Sequence, residues 1–113
     1  MDYSAEATFY IRLSLMNPKP GQEKRVSQIQ DELLTYLIGK PGYVRGYKLT
    51  SGDPQGRIGR LGVWRSEADA EAQASSDRVL ALRSEMLRLV EDDSHAEHSY
   101  AALDPELANT GGR

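Results

Sequence analysis

Three residues in the middle of the chain have side chains suited to a small-molecule site: Trp64, Arg60 and Tyr47. Arg60 and Trp64 are four residues apart in a run typical of a β-strand, where even spacing places both on one face. An indole can stack on an aromatic ring, and a guanidinium beside it can bind a carboxylate or a phenolate. The alternatives are a tryptophan that packs in the core and an arginine that pairs across a dimer.

Tyrosines are a second source of chemistry, because a phenol can donate a proton to a phenolic substrate. Tyr36, Tyr43 and Tyr47 are the candidates. Tyrosines on strands and helices more often fill space with the hydroxyl group at the surface. We therefore assign no catalytic residue, and the predicted substrate-binding residues are Trp64, Arg60 and Tyr47.

Metal, nucleophilic and nucleotide chemistry find little support in the sequence. The chain has no cysteine, which excludes thiolate sites and disulfides. His95 and His98 would point to opposite faces of a strand, and acidic clusters such as Asp92 and Asp93 are usually solvated. No serine has the spacing of a nucleophile elbow, and the glycines do not form a phosphate-binding loop. We expect no metal and no cofactor.

Hydrophobic periodicity predicts the elements that position these residues. Strands are expected over residues 8–16, 43–51, 57–64 and 95–100. A first helix should end at Gly39, before Pro41. Ser66 is a natural N-cap for helix that continues to about Val90, either as one kinked helix or as two in series that meet near Ser75.

This order of elements predicts the α+β class, a ferredoxin-like βαββαβ domain with an antiparallel sheet and helices on one face. The domain should span residues 1–103. Residues 104–113 lack periodicity and are predicted to form a mobile tail. A domain of this size buries only about two-thirds of its unfolded surface, so a partner that covered the second sheet face would add stability. We expect Tyr10 and Arg12 on that covered face, hydrogen-bonded to acidic residues such as Glu97.

Three short motifs resemble the antibiotic biosynthesis monooxygenase family over residues 8–103. They are Pro20-Gly21 before the first helix, Pro41-Gly42-Tyr43 before the second strand, and Val63-Trp64-Arg65-Ser66-Glu67-Ala68 between the third strand and the next helix. These residues set turns and a helix cap rather than chemistry. The resemblance implies a homodimer in which two sheets pack face to face as a dimeric α+β barrel.

The resemblance also implies a cofactor-independent monooxygenase that holds a small aromatic or polyketide-like substrate beside Trp64. The quinone-forming branch has an asparagine one turn of strand before this tryptophan and a tyrosine in the following helix, and Arg60 and Ala70 stand at those positions here. The haem-degrading branch is disfavoured, because its first-strand asparagine and second-helix histidine are both absent. The alternative is a non-catalytic dimer that binds a small hydrophobic ligand or has a regulatory role.

Charge and composition limit the remaining partners. The 113 residues include 17 acidic and 14 basic ones, a formal net charge of −3 that gives no footprint for nucleic acid or an anionic membrane. The first six residues carry neither a basic stretch nor an apolar run, and no apolar run approaches the length of a membrane span. We expect a cytoplasmic protein with neither nucleic acid nor membrane among its partners.

Overall fold

Four strands and three helices make up the part of the chain that the computed structural model describes, residues 8–53 and 56–103. In chain order they are β1 (Thr8–Met16), α1 (Glu23–Leu37), β2 (Tyr43–Leu49), β3 (Ile58–Trp64), α2 (Glu67–Ala74), α3 (Asp77–Arg88) and β4 (Ala96–Leu103). The strands form one antiparallel sheet in the order β2-β3-β1-β4. This is the predicted ferredoxin-like α+β fold. The predicted mobile tail, residues 104–113, lies outside the described residues.

The caps of the helices follow from local sequence chemistry. The hydroxyl of Ser66 accepts a hydrogen bond from the backbone N–H of Asp69 at 3.1 Å, which confirms the predicted N-cap of α2. Of the two arrangements considered for the following helix, the structure has two helices in series, separated by Ser75 and Ser76. At the start of β2, Gly42 has φ +77°, and a β-carbon there would collide with the Asp69 carboxylate. Glycine at this position therefore lets β2 approach the N-terminus of α2 closely.

The core lies between one face of the sheet and the helices. The apolar residues whose periodicity predicted the helices form stripes that face it, and residues of the sheet and Val90 join them. Together these buried residues are Met16, Val26, Ile29, Leu33, Leu37, Trp64, Ala70, Val79, Leu82, Met86 and Val90. Burial of such side chains contributes about 25 cal/mol for each Å² of apolar surface removed from water. This packing holds α1 and α3 on the sheet.

The register of β1 shows which sheet face the helices cover. Met16 is fully buried, and its sulfur accepts a hydrogen bond from the side chain of Gln30 on α1. Alternate residues of a strand share a face, so Ser14, Arg12 and Tyr10 lie on the helix-covered face with Met16. The prediction that Tyr10 and Arg12 lie on the face covered by a partner is therefore wrong.

Arg12 and Tyr10 can lie on the helix-covered face because residues of α2 and β4 bind their side chains. Arg12 forms an ion pair with Glu71 of α2, and the hydroxyl of Tyr10 donates a hydrogen bond to Ser99 Oγ at 2.9 Å. The polar row is thus hydrogen-bonded in the gap between sheet and helices, as burial requires. The opposite face of the sheet is mainly apolar, with Arg45 of β2 and His98 of β4 as its polar exceptions. It carries Phe9, Ile11, Leu13 and Leu15 of β1, with Leu61 and Val63 of β3 and Tyr100 of β4.

Among residues 8–53 and 56–103, Gln30 is the one polar residue that is fully buried in the helix–sheet core. Its side-chain nitrogen donates to the sulfurs of Met16 and Met86, both at 3.1 Å, and sulfur is a weak acceptor. Its Oε1 is buried and has no hydrogen-bond partner. An unpaired buried carbonyl costs about 1–3 kcal/mol, so Gln30 lowers the stability of the core.

We expect Gln30→Met to raise the free energy of unfolding by about 1 kcal/mol, because methionine keeps the volume and shape of the side chain and removes the unpaired oxygen. Urea denaturation measures the change. Gln28→Met, on the exposed side of the same helix, is the matched control and should leave the free energy nearly unchanged. Lower stability of Gln30→Met would contradict this account of the core.

Candidate functional site

A cavity of about 50 Å³ lies between the helix-covered sheet face and all three helices. Its apolar wall includes Leu33, Leu34 and Leu37 of α1, Val79 of α3 and Trp64. Its polar wall includes Arg12, Ser14, Arg60, Arg83 and Glu97. The combination of a hydrophobic wall with a few convergent charged groups is typical of small-molecule sites.

Trp64 lines the cavity and is 4% exposed. Its ring meets that of Tyr43 edge-on, with centroids 5.1 Å apart. Two residues earlier on the same face, Gly62 also lines the cavity, and a β-carbon there would lie 3.1 Å from the indole Nε1. Glycine therefore leaves open the space beside the indole.

Arg60 is the next residue along this face of β3 and is half-buried. Within residues 8–53 and 56–103, its side chain makes no hydrogen bond and no ion pair of 4.0 Å or less. Burial lowers the pKa of the guanidinium, Glu97 opposes this change, and Arg83 and Arg12 reinforce it. A guanidinium that has lost hydration without gaining a partner favours an anion in the cavity.

Two ion pairs flank the cavity beyond Arg60. Arg12 is paired with Glu71, and Arg83 Nη2 lies 2.6 Å from Glu97 Oε1. The three guanidinium groups around the cavity thus carry three positive charges against the two negative charges of Glu71 and Glu97, so one positive charge is uncompensated. The local electrostatics favour a singly charged anion, although the chain as a whole is acidic.

Ser14 and His95 form a polar pair at the cavity wall that the sequence did not reveal. Ser14 is 4% exposed, and its Oγ lies 3.1 Å from His95 Nε2. His95 Nε2 also lies 3.6 Å from Glu97 Oε1. Burial lowers the pKa of His95, Arg83 and Arg60 reinforce this change, and Glu97 opposes it, so the imidazole is neutral at physiological pH. Only the cross-strand register brings residues 14 and 95 together.

The structure brings two of the three predicted binding residues together. Trp64 and Arg60 both line the cavity, whereas Tyr47 pairs with Leu61 on the opposite face and is 48% exposed. A β-bulge between Tyr43 and Arg45 shifts the register and so reverses the face of the rest of β2. Tyr43, rather than Tyr47, is the tyrosine beside Trp64.

Other types of site are less supported by the described residues. No group of three or more histidine, cysteine, aspartate or glutamate side chains in residues 8–53 and 56–103 could hold a metal ion. His98 lies on the opposite face of the sheet from Ser14 and does not line the cavity. Across these same ranges, no helix has both the length and the apolar character that crossing a membrane requires.

Comparison with known proteins gives a match at the level of structure alone. No family model and no curated protein matches the sequence. A putative antibiotic biosynthesis monooxygenase from Nitrosomonas europaea superposes with a TM-score of 0.77 at 18% identity, covering 86% of this chain and 92% of that one. The chain has the fold of the antibiotic biosynthesis monooxygenases.

Two further structures show how wide this fold group is. SnoaB, a cofactor-independent oxygenase from Streptomyces nogalater, matches with a TM-score of 0.70 at 11% identity, covering 85% of this chain and 93% of that one. A Nitrosomonas europaea protein of unknown function matches with a TM-score of 0.72 at 18% identity, covering 88% and 93%. The fold thus accommodates an oxygenase and a protein without a known activity, and the site must decide the function.

The lowered pKa of His95 predicts a pH dependence of stability. Below about pH 6.5, the ordinary histidine value, the unfolded chain binds a proton that the folded protein resists, so the free energy of unfolding falls as the pH falls. We expect His95→Gln to lose less stability than the wild type between neutral pH and the folded pKa of His95. Chemical denaturation at a series of pH values measures this difference. His98→Gln, the control, should keep the wild-type loss.

Proposed function

We propose that this protein belongs to the antibiotic biosynthesis monooxygenases and oxidises a small aromatic anion without a cofactor. The observation that carries the proposal is the unpaired, half-buried guanidinium of Arg60 in an apolar cavity beside Trp64. A phenolate or enolate would satisfy that charge while its ring packed on the indole. Desolvated and held in this way, an electron-rich anion is oriented for reaction with oxygen.

The reaction would need no external electron donor. A CH₂ group activated by the aromatic anion reacts with O₂; one oxygen atom becomes the new carbonyl oxygen, and the other leaves as water with the two hydrogens of the CH₂ group. The substrate supplies all the electrons. In this proposal Arg60 stabilises the substrate anion, and Trp64 with the leucines of α1 excludes water.

The size of the cavity sets a condition on this proposal. A cavity of roughly 150 Å³ holds a benzene ring, so 50 Å³ is too small for an aromatic substrate without movement. A surface cleft of about 490 Å³ shares Arg12, Ala74, Arg83 and Glu97 with the cavity wall. Both ion pairs lie at this shared wall and are partly exposed. Exposed pairs cost only about 1 kcal/mol to separate, so their opening can join cleft and cavity.

A homodimer is part of the same proposal. The open sheet face is mainly apolar and has Val63, Ile11 and Tyr100, from three adjacent strands, as its central row, with Arg45 and His98 beside them. Tyr47 and Tyr100, on the same face, are 48% and 52% exposed. Apolar surface of this kind is typical of interaction sites. A second copy packed face to face would cover it and produce the dimeric α+β barrel.

Ligand binding without catalysis is the alternative. The small size of the cavity, the nearly complete burial of Trp64, and the presence of Arg60 and Ala70 at the positions discussed above favour it. Oxygen consumption separates the two functions. Anthrone has a reactive CH₂ group between aromatic rings, and uptake above the rate of anthrone alone supports the enzyme. Binding of a phenolate without faster uptake supports the alternative.

We expect Arg60→Gln to weaken binding of 4-cyanophenolate by roughly 10- to 100-fold, because a hydrogen bond to a charged group is lost. Isothermal titration calorimetry measures the affinity. Arg57→Gln removes an exposed guanidinium just before the same strand and should bind as the wild type does. Equal affinity of the Arg60 and Arg57 variants would refute the role of Arg60.

For the dimer, we expect Ile11→Glu to convert the protein to a monomer, because it places a carboxylate in the centre of the apolar sheet face. Sedimentation equilibrium measures the mass. Leu87→Glu, a change at an exposed leucine of α3 on the other side of the molecule, should leave the dimer intact. A wild-type chain that is already monomeric at high concentration would contradict the proposed homodimer.

A further inference from the structure

We propose that Ser14 and His95 form a proton relay that removes the hydroxyl proton of a phenolic or enolic substrate bound in the cavity. The inference rests on the proposed function, since it names the group that makes the substrate an anion. Arg60 can stabilise the anion but cannot generate it, because a guanidinium has no lone pair available as a base. The cavity therefore needs a separate proton acceptor.

Ser14 is placed to receive the substrate proton. In the β1–β3 register it lies directly opposite Arg60, and directly opposite residues on one face have β-carbons about 5 Å apart. Both side chains line the cavity. A substrate oxygen that accepted a hydrogen bond from Arg60 would thus lie within reach of Ser14 Oγ. In the β1–β4 register Ser14 also lies opposite Glu97.

His95 is held behind Ser14 by a tight turn before β4. Asp93 has φ 63°, the left-handed conformation that reverses the chain. The buried Ser94 hydroxyl accepts a hydrogen bond from the Asn17 N–H at 3.1 Å and donates one to the Glu91 carbonyl at 2.7 Å. These contacts tie the turn to the end of β1. The imidazole is thereby fixed with Nε2 at 3.1 Å from Ser14 Oγ.

The protons balance along this path. The substrate O–H bond breaks as its proton moves to Ser14 Oγ, while the Ser14 O–H bond breaks as that proton moves to His95 Nε2. The products are a substrate anion beside Arg60 and an imidazolium beside Glu97; Ser14 is unchanged. Hydroxyl groups pass protons in this way when they donate and accept at once.

The charges around His95 suit a temporary proton acceptor. Glu97 on β4 lies 3.6 Å away and favours the imidazolium, whereas Arg83 on α3 and Arg60 on β3 disfavour it. Before the substrate binds, burial and the two arginines keep the imidazole neutral. When an anion forms beside Arg60 it offsets one of these positive charges, so binding itself favours protonation of His95.

Histidine NMR with 4-cyanophenol tests the relay. At a pH where free 4-cyanophenol is mostly neutral, we expect it to bind as the phenolate, seen by its absorbance, while the His95 signal shifts to that of the imidazolium. The chain has two histidines, so His98→Gln leaves the His95 signal alone for assignment. In Ser14→Ala we expect the ratio of ionised to neutral bound probe to fall roughly tenfold, a change of about one unit in its apparent pKa.

Two variants distinguish a relay from a structural effect. Ser14→Thr keeps a hydroxyl at this position and should restore ionisation, and Ser84→Ala, at an exposed serine of α3, should behave as the wild type. Phenolate binding with a neutral His95 in the wild type overturns the relay and leaves the proposed function intact. Failure of the probe to bind overturns the proposed function and the relay together.

Discussion

The polar row of β1, Tyr10, Arg12 and Ser14, lies beneath the helices, and the rest of the structure depends on this placement. Such side chains can be buried only with partners, and the structure supplies Ser99, Glu71 and His95. Because the row is polar, the helices cannot close on it as they close on Met16. A cavity remains where α2 and α3 pass over the sheet, and Arg60 on the next strand faces into it.

The same placement leaves the apolar row of β1 on the outside. In a monomeric two-layer domain this row would pack against the helices, and the polar residues would face water. In this chain the polar row faces the helices, and the apolar row faces outward. One face thus lines a polar cavity, and the other carries the apolar surface that the proposed dimer would cover. The proposed site and the proposed dimer therefore both follow from the placement of the polar row of β1 beneath the helices.

Much of the fold could be predicted from local sequence signals, whereas the composition of the site could not. The Ser66 cap and the apolar stripes of the helices predicted their elements, because these signals act within a few residues. Alternation in β1 separated two faces but did not show which one the helices cover. The bulge at the start of β2 placed Tyr47 on the wrong face for the cavity. Ser14 and His95 are 81 residues apart, and only strand pairing joins them.

The wall shared by the interior cavity and the surface cleft has a consequence for evolution. Arg12, Glu71, Arg83 and Glu97 are partly exposed, and none belongs to the hydrophobic core. Substitutions at these four positions change the charge and width of the passage while Trp64 and the packing behind it stay the same. Paired substitutions that keep each ion pair could thereby let related chains diverge in the molecules they admit without leaving a half-buried charge unpaired. The hydrophobic core behind the cavity would stay the same while the molecules admitted to it changed.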